Sequence, residues 1–326
     1  MNGTLDGITS TWGGSALSDG NELHMFAAGF PNAPLSAWLN DSVIVHAVAS
    51  RPDAPFTPRA VALRPSSRRG GWDSATVHNP VVVRAPDGTF VLYYMGSSCA
   101  EPGENCAGTT QDCATAAGRH TFSICRQRIG LATAPSPSGP WTRHNAPILV
   151  PRAPPAWDNV FTANPAPYIF SNGSALLVYK SRGLDDLGTM RTGVAFAAHW
   201  RGPYERRPGS GPISALGQKC EDAGIYRSAR SGRFHMLFHC GCAYRSAVSD
   251  DGFEWTTLPG PIGWCNVSLA GGGSAKLKRR ERPIWLMGAD GEPSHLLTGV
   301  VPVRGVRVVR IRSIANACIS CVRRAG

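Results

Sequence analysis

The sequence predicts an all-β chain folded as a five-bladed β-propeller whose antiparallel blades hold three to four strands each. Three observations predict it. The 37 Gly and 26 Pro punctuate all 326 residues, and no stretch keeps a helical period of apolar residues for four turns. The segment Trp72–Pro80, WDSATVHNP, returns as WDNVFTANP at Trp157–Pro165, with the Asp six residues ahead of the Asn both times. Lined up on Asn-Pro, the chain divides into five units of one plan: a strand, a Gly- or Asn-containing turn, a second strand and a third strand of small residues. A unit of this size that returns in phase marks radial repetition, which a β-sandwich does not produce.

The first unit opens at Gly13 with GGSALSDGNELHMFAAG and runs into SVIVHAVASRPDAPF. Its Asp-Gly-Asn turn separates two apolar runs, the usual hairpin signal. The second, from His78, is HNPVVVRAPDGTFVLYYMG, leading to RIGLATAPSPSGPW. The third, from Ala163, is ANPAPYIFSNGSALLVYKS, leading to TGVAFAAHWRGPY. The fourth, from Glu221, is EDAGIYRSARSGRFHMLFH, leading to AYRSAVSDDGFEW. The fifth, from Gly272, is GGSAKLKRRERPIWLMG, leading to HLLTGVVPV. These units place blades near 13–65, 78–150, 163–215, 221–260 and 272–312 of a single domain, 1–326, with a Cys-rich insertion at 97–126.

Bulk composition narrows the function. An apolar share of 42% is enough for a sizeable core and excludes disorder, and no apolar run approaches the roughly 20 residues of a membrane span. Ten Cys in an all-β chain fit disulfides in an oxidising compartment. Sequons at Asn2, Asn40, Asn172 and Asn266 agree. Export is therefore expected, although MNGTLDGITS is no signal peptide, and Met1 reads as a truncated start. The net charge of +11 gathers in KLKRRERP (Lys276–Pro283) and RGVRVVRIR (Arg304–Arg312). No nucleic-acid motif accompanies it, so it reads as a solvated basic face or as attraction to an acidic or sulfated polysaccharide.

The cysteines suggest their own pairing. Cys99, Cys106, Cys113 and Cys125 share the insertion, where two internal disulfides would pin a long loop. Cys220 lies opposite Cys240–Cys242 in the fourth hairpin, with Cys265 left for the other partner. In FHMLFHCGC, His235 and His239 beside Cys240 and Cys242 read as packed His and disulfide Cys rather than zinc ligands. The tail pair Cys318 and Cys321 has redox spacing without a β-α-β context. Asp41, Ser42 and His46 lack the Gly-x-Ser-x-Gly elbow of a serine hydrolase, and Lys180 with Arg182 reads as a surface pair or a contact to an acidic sugar.

NPVVVRAPDGTFVLYYMG followed by IGLATAPSPSGPW resembles the blade signature of the arabinanase, levansucrase and invertase superfamily, with glycoside hydrolase family 43 the nearest branch. Ser136–Trp141, SPSGPW, is its most specific element, and Arg201–Tyr204, RGPY, echoes it. The resemblance runs from Gly13 to about Val303. It implies a glycan substrate and three carboxylates at the central cavity: an Asp base on the first blade, an Asp that tunes the acid, and a Glu acid. Some members hold Ca²⁺ in the channel; no cofactor is otherwise implied.

Matched unit by unit, the inner-ring positions read Gly14-Ser15, His78-Asn79, Ala163-Asn164, Glu221-Asp222 and Gly273-Ser274. Glu221 matches the acid, Asp222 stands beside it, and Ser15 replaces the first-blade Asp. Asp73 and Asp158, in loops leading to the ring, are candidates for the missing carboxylate, with Trp72 and Trp157 as sugar-stacking platforms. The same Trp-Asp pairs also fit structural turns, Asp capping a backbone N–H and Trp packing between blades. His78, Asn79, Asn164 and Asp222 are expected to bind substrate. The expected function is hydrolysis of a plant- or alga-type glycan by acid–base inversion, without a covalent intermediate. The alternative is a carbohydrate-binding propeller without catalysis.

Overall fold

The computed structural model describes residues 7–68, 70–99, 107–213, 216–217, 220–268, 274–302, 318–319 and 322–323. Five antiparallel sheets form a five-bladed propeller. Blade one is β1 (Ile8–Asp19), β2 (Glu22–Pro31), β3 (Val43–Ala49) and β4 (Thr57–Leu63). Blade two is β5 (Thr76–Arg84), β6 (Phe90–Ser97), β7 (Arg128–Ala134) and β8 (Thr142–Arg143). Blade three is β9 (Thr162–Ile169), β10 (Ala175–Gly183) and β11 (Asp186–Ala197). Blade four is β12 (Cys220–Arg227), β13 (Phe234–Cys240), β14 (Ala243–Ser249) and β15 (Thr256–Thr257). Blade five is β16 (Asn266–Ser268), β17 (Ser274–Met287), β18 (Pro293–Pro302), β19 (Cys318–Ile319) and β20 (Val322–Arg323). The innermost strands β1, β5, β9, β12 and β17 each touch the next, and β17 returns to β1, so the ring is closed.

Apolar blade faces pack on one another around that ring. Tyr93, Ile129 and Leu131 of blade two meet Leu177, Tyr179 and Trp200 of blade three. Met25, Val43 and Val45 of blade one meet Leu286 and Leu297 of blade five. Disulfide Cys113–Cys125 lies within the insertion, as expected of its cysteines, and in the fourth blade Cys220 pairs with Cys240, which leaves Cys242 for Cys265. Cys106, Cys321, Asn2 and the basic run 304–312 lie outside the described residues. Among the described residues no helix is long and apolar enough to cross a membrane.

Every inner strand carries a bulge with one residue in the left-handed region: Gly13 (φ 53°), Asn79 (49°), Asn164 (52°), Asp222 (59°) and Arg282 (56°). Ladder register slips there, as at His78/Val81, Glu221/Gly224 and Glu281/Ile284. Asn, Asp and Gly are the residues that take this conformation at least cost, which explains Asn-Pro as the audible part of the repeat. Arg is not such a residue, and there the sequence alignment fails. The fifth ring pair is Glu281-Arg282, followed by Pro283 as Asn79 and Asn164 are by Pro80 and Pro165. Gly273 lies outside the described residues, and Ser274 is exposed at the start of β17, paired with Ser268 of β16. In blade one the ring residue is Gly13. Ser15 is buried at the seam, its Oγ accepting from Val82 N at 2.7 Å.

The repeated Trp-Asp sentence also has a structural answer, on the side of the second of its two readings. Asp73 is 1% exposed, pairs with Arg143 and accepts from Tyr94 Oη at 2.8 Å. Trp72 stacks on the Tyr94 ring at 5.5 Å, over Gly96 and Gly130, where any side chain would meet the indole at about 2.4–2.6 Å. Asp158 is fully buried, pairs with Arg152 at 2.6 Å and Arg206 at 2.8 Å, and accepts from Tyr179 Oη at 2.7 Å. Trp157 stacks on Tyr179 at 5.9 Å, over Gly193. Arg143 and Arg206 each stand two residues past the aromatic of a Gly-Pro-aromatic turn, GPWTR and GPYER. The sentence is said twice because blades two and three use one brace: Trp on Tyr, Tyr on Asp, Asp on Arg.

Candidate active site

The left-handed bulge brings two consecutive residues of each inner strand to the inner ring. The pairs are Trp12-Gly13, His78-Asn79, Ala163-Asn164, Glu221-Asp222 and Glu281-Arg282. All of them but Gly13 and Ala163 line a cavity of about 530 Å³. Of the residues singled out in the sequence, His78, Asn79, Asn164, Lys180, Glu221 and Asp222 line it together. Asp73, Asp158, Trp72 and Trp157 are not among its lining residues; the two carboxylates are spent on the braces.

Four ring residues are tied by hydrogen bonds. Asn79 Nδ2 donates to Asn164 Oδ1 at 2.6 Å, Asn164 Nδ2 donates to Asp222 Oδ1, and Arg282 donates to the same oxygen at 3.1 Å. Burial pushes the Asp222 carboxyl up, but Arg282, His239 and Lys180 together outweigh it and hold its pKa at about 2. Asp222 is thus a fixed anion of the floor. Gly13 supplies no side chain to the ring, and Arg282 lies against it: a Cβ there would sit 3.0 Å from Arg282 Cγ.

His78 is set by its neighbours. Ser42 Oγ donates to Val77 O at 3.0 Å and so, having one proton, accepts from His78 Nδ1 at 2.8 Å. The other nitrogen, Nε2, is left as an acceptor. Burial, helped by the Arg282 guanidinium, lowers the His78 pKa to about 3, so the ring is neutral. Ser42 therefore serves His78, while His46 pairs instead with His24 at 3.0 Å.

The other wall holds the reactive groups. Glu221 is 27% exposed, accepts from Lys180 Nζ and lies 3.8 Å from His239 Nε2. His239 is its cross-strand partner on β13 and also reaches Asp222 Oδ2 at 3.4 Å. Across the seam, Glu281 is 21% exposed and takes both oxygens to Arg279, at 2.8 and 2.7 Å. Arg279 lies over the Trp12 ring at 5.1 Å. Trp12 and Trp38 are the aromatic faces of the cavity, in place of Trp72 and Trp157. Sequence reasoning missed Trp12, Trp38, Glu281 and Arg282. Aligning Pro283 with Pro80 and Pro165 gives the blade-five pair directly.

The residues do not fit the channel Ca²⁺ of some superfamily members. Asp222, His239 and Glu281 bring one ligand atom each within 4.8 Å of one another. Calcium takes six to eight oxygens, whereas here one ligand is an imidazole and each carboxylate is already neutralised by an arginine.

No protein-family profile and no curated protein matches the chain. Solved structures do. A family 117 glycoside hydrolase, Zg3597, from the marine bacterium Zobellia galactanivorans aligns with TM-score 0.65 at 16% identity, covering 98% of this chain and 86% of that one. A thermostable family-43 glycoside hydrolase aligns with TM-score 0.59 at 15% identity, over 99% and 92%. The endo-arabinase of Bacteroides thetaiotaomicron VPI-5482 aligns with TM-score 0.58 at 14% identity, over 99% and 98%. Over the described residues the chain has the five-bladed propeller fold of these glycoside hydrolases.

Proposed function

We propose that the protein is a glycoside hydrolase that binds a plant- or alga-type glycan in the axial cavity and cleaves it with inversion. The observation that carries this reading is Glu221, a part-exposed carboxylate turned into the cavity by the fourth-blade bulge. It stands where the resemblance expects the acid. In that role Glu221 protonates the leaving glycosidic oxygen, while His78 Nε2, Asn79 and Asn164 read sugar hydroxyls and Trp12 or Trp38 faces a ring. Three disulfides support work in an oxidising compartment, outside the cell or in a lumen. Lys180, Arg279 and Arg282 each face a carboxylate, so the cavity wall is charge-compensated. A preference for an acidic or sulfated glycan then rests on the basic C-terminal run.

One observation favours the second reading, a carbohydrate-binding propeller without catalysis: Gly13 leaves the first-blade ring position with no carboxylate. A screen on arabinan, xylan and sulfated glycans, measuring both binding and released reducing sugar, separates the two. Turnover that Glu221→Gln abolishes while binding persists supports the hydrolase. Binding without any turnover by the wild type leaves only the second reading.

A further inference from the structure

We infer that Glu281, on blade five, is the catalytic base that completes the acid–base pair with Glu221. The inference rests on the hydrolase reading above and names the group that reading lacks. An inverting glycosidase needs a second carboxylate about 6.5–9.5 Å from the acid, with space for one water between them. The blade-one ring position is Gly13, and Asp73 and Asp158 are buried in arginine pairs away from the cavity. The described lining of the cavity contains three carboxylates: Glu221, Asp222 and Glu281.

Asp222 is unsuited to the task. It is 6% exposed, and Asn164, Arg282 and His239 surround its two oxygens. Glu281 is open to the cavity and occupies in its blade the place that Glu221 occupies in the preceding one, immediately before the left-handed residue. Adjacent inner strands, β12 and β17, therefore present the two Glu side chains to one space by the same bulge. His239 is close to both, 3.8 Å from a Glu221 oxygen and within 4.8 Å of a Glu281 oxygen. The Arg279 fork, held over Trp12, fixes the Glu281 rotamer. A carboxylate has about four lone-pair directions, so two remain for a water.

The step balances as follows. Glu281 takes one proton from a water whose oxygen forms the new bond to the anomeric carbon. On the opposite face the bond from that carbon to the leaving oxygen breaks, and the oxygen takes the proton of Glu221. One proton then passes from Glu281 through solvent to Glu221, restoring both groups.

The test uses the full chain on p-nitrophenyl α-L-arabinofuranoside and β-D-xylopyranoside, and on whichever polysaccharide the wild type degrades. Nitrophenolate leaves without help from an acid, but water still needs the base. Glu281→Gln should therefore lose about 10²–10⁴-fold in kcat on aryl glycoside and polysaccharide alike. Glu221→Gln should lose much less on the aryl glycoside than on the polysaccharide. Azide, which needs no deprotonation, should restore turnover to Glu281→Ala and give a glycosyl azide of inverted configuration. Glycan binding by Glu281→Gln should match the wild type, which separates lost chemistry from lost folding. An active wild type whose Glu281→Gln variant keeps turnover within about twofold, far inside the range for losing a base, overturns the role of Glu281 and leaves the hydrolase standing. Lost turnover with lost binding and no azide rescue makes Glu281 structural and likewise overturns it. A wild type that binds glycan but cleaves none of these substrates removes the hydrolase reading, and the base with it.

Discussion

Asp158→Asn is the change that best separates brace from catalyst. The side chain is wholly buried, and it neutralises two arginines, Arg206 at 11% and Arg152 at 32% exposure. The amide keeps one acceptor but no charge, so Arg152 and Arg206 are left facing each other without their anion. Its nitrogen also cannot accept from Tyr179 Oη, which now donates to Oδ2. Breaking one side of a buried ion pair costs about 3–5 kcal/mol. At about 2–4 °C per kcal/mol for a large domain, the melting midpoint should fall by roughly 6–20 °C. The assay is calorimetric melting beside turnover per folded molecule at a temperature well below both midpoints. Asp158→Asn should melt early and turn over polysaccharide normally, whereas Glu221→Gln should melt near the wild type and not turn over polysaccharide. An Asp158→Asn protein that melts like the wild type but has lost activity would refute the brace and return Asp158 to the chemistry.

Two further outcomes are expected. Burial, with His24 and Arg59 alongside, lowers the His46 pKa to about 4, against about 6.5 in the unfolded chain. The folded state then binds fewer protons, so the His46 contribution is complete above about pH 6.5 and is lost as pH falls toward 4; His46→Gln should flatten the acid limb of melting midpoint against pH, and parallel curves would count against it. Gly13→Val places a β-branched side chain at φ 53° with its Cβ 3.0 Å from Arg282 Cγ, and should cost about 1–2 kcal/mol or more in urea unfolding. Gly13→Asn, which tolerates the left-handed turn, should cost visibly less; equal losses would mean that crowding rather than backbone decides.

The five-fold plan was legible because hairpins announce themselves locally: alternating apolar runs, and Gly or Asn where a turn needs positive φ. The inner ring was legible in blades two, three and four for the same reason, since Asn79, Asn164 and Asp222 are residue types that bend left-handed readily. It was illegible in blade five, because Arg282 is neither a turn former nor a usual core residue; its buried charge is paired with Asp222, a partner 60 positions away. The Trp-Asp repeat was visible but its meaning was not. Nothing local in WDSATVHNP shows that Asp73 faces Arg143 rather than a sugar; that pairing spans 70 residues and exists only once the blade has closed. Glu281 was hidden by the same misalignment that hid Arg282.

The ring of hydrogen bonds around the axis has a direction, and one atom sets it. A side-chain amide has no preferred sense of its own, since it donates at one end and accepts at the other. Asp222, held anionic, can only accept, so Asn164 must turn its nitrogen toward it, and Asn79 must then turn its nitrogen toward Asn164. Two amides on two other blades thereby inherit their orientation from a single carboxylate on the fourth. Written the other way round, the face that blades two and three show to the cavity, donor or acceptor, is decided by the charge state of a residue neither blade contains.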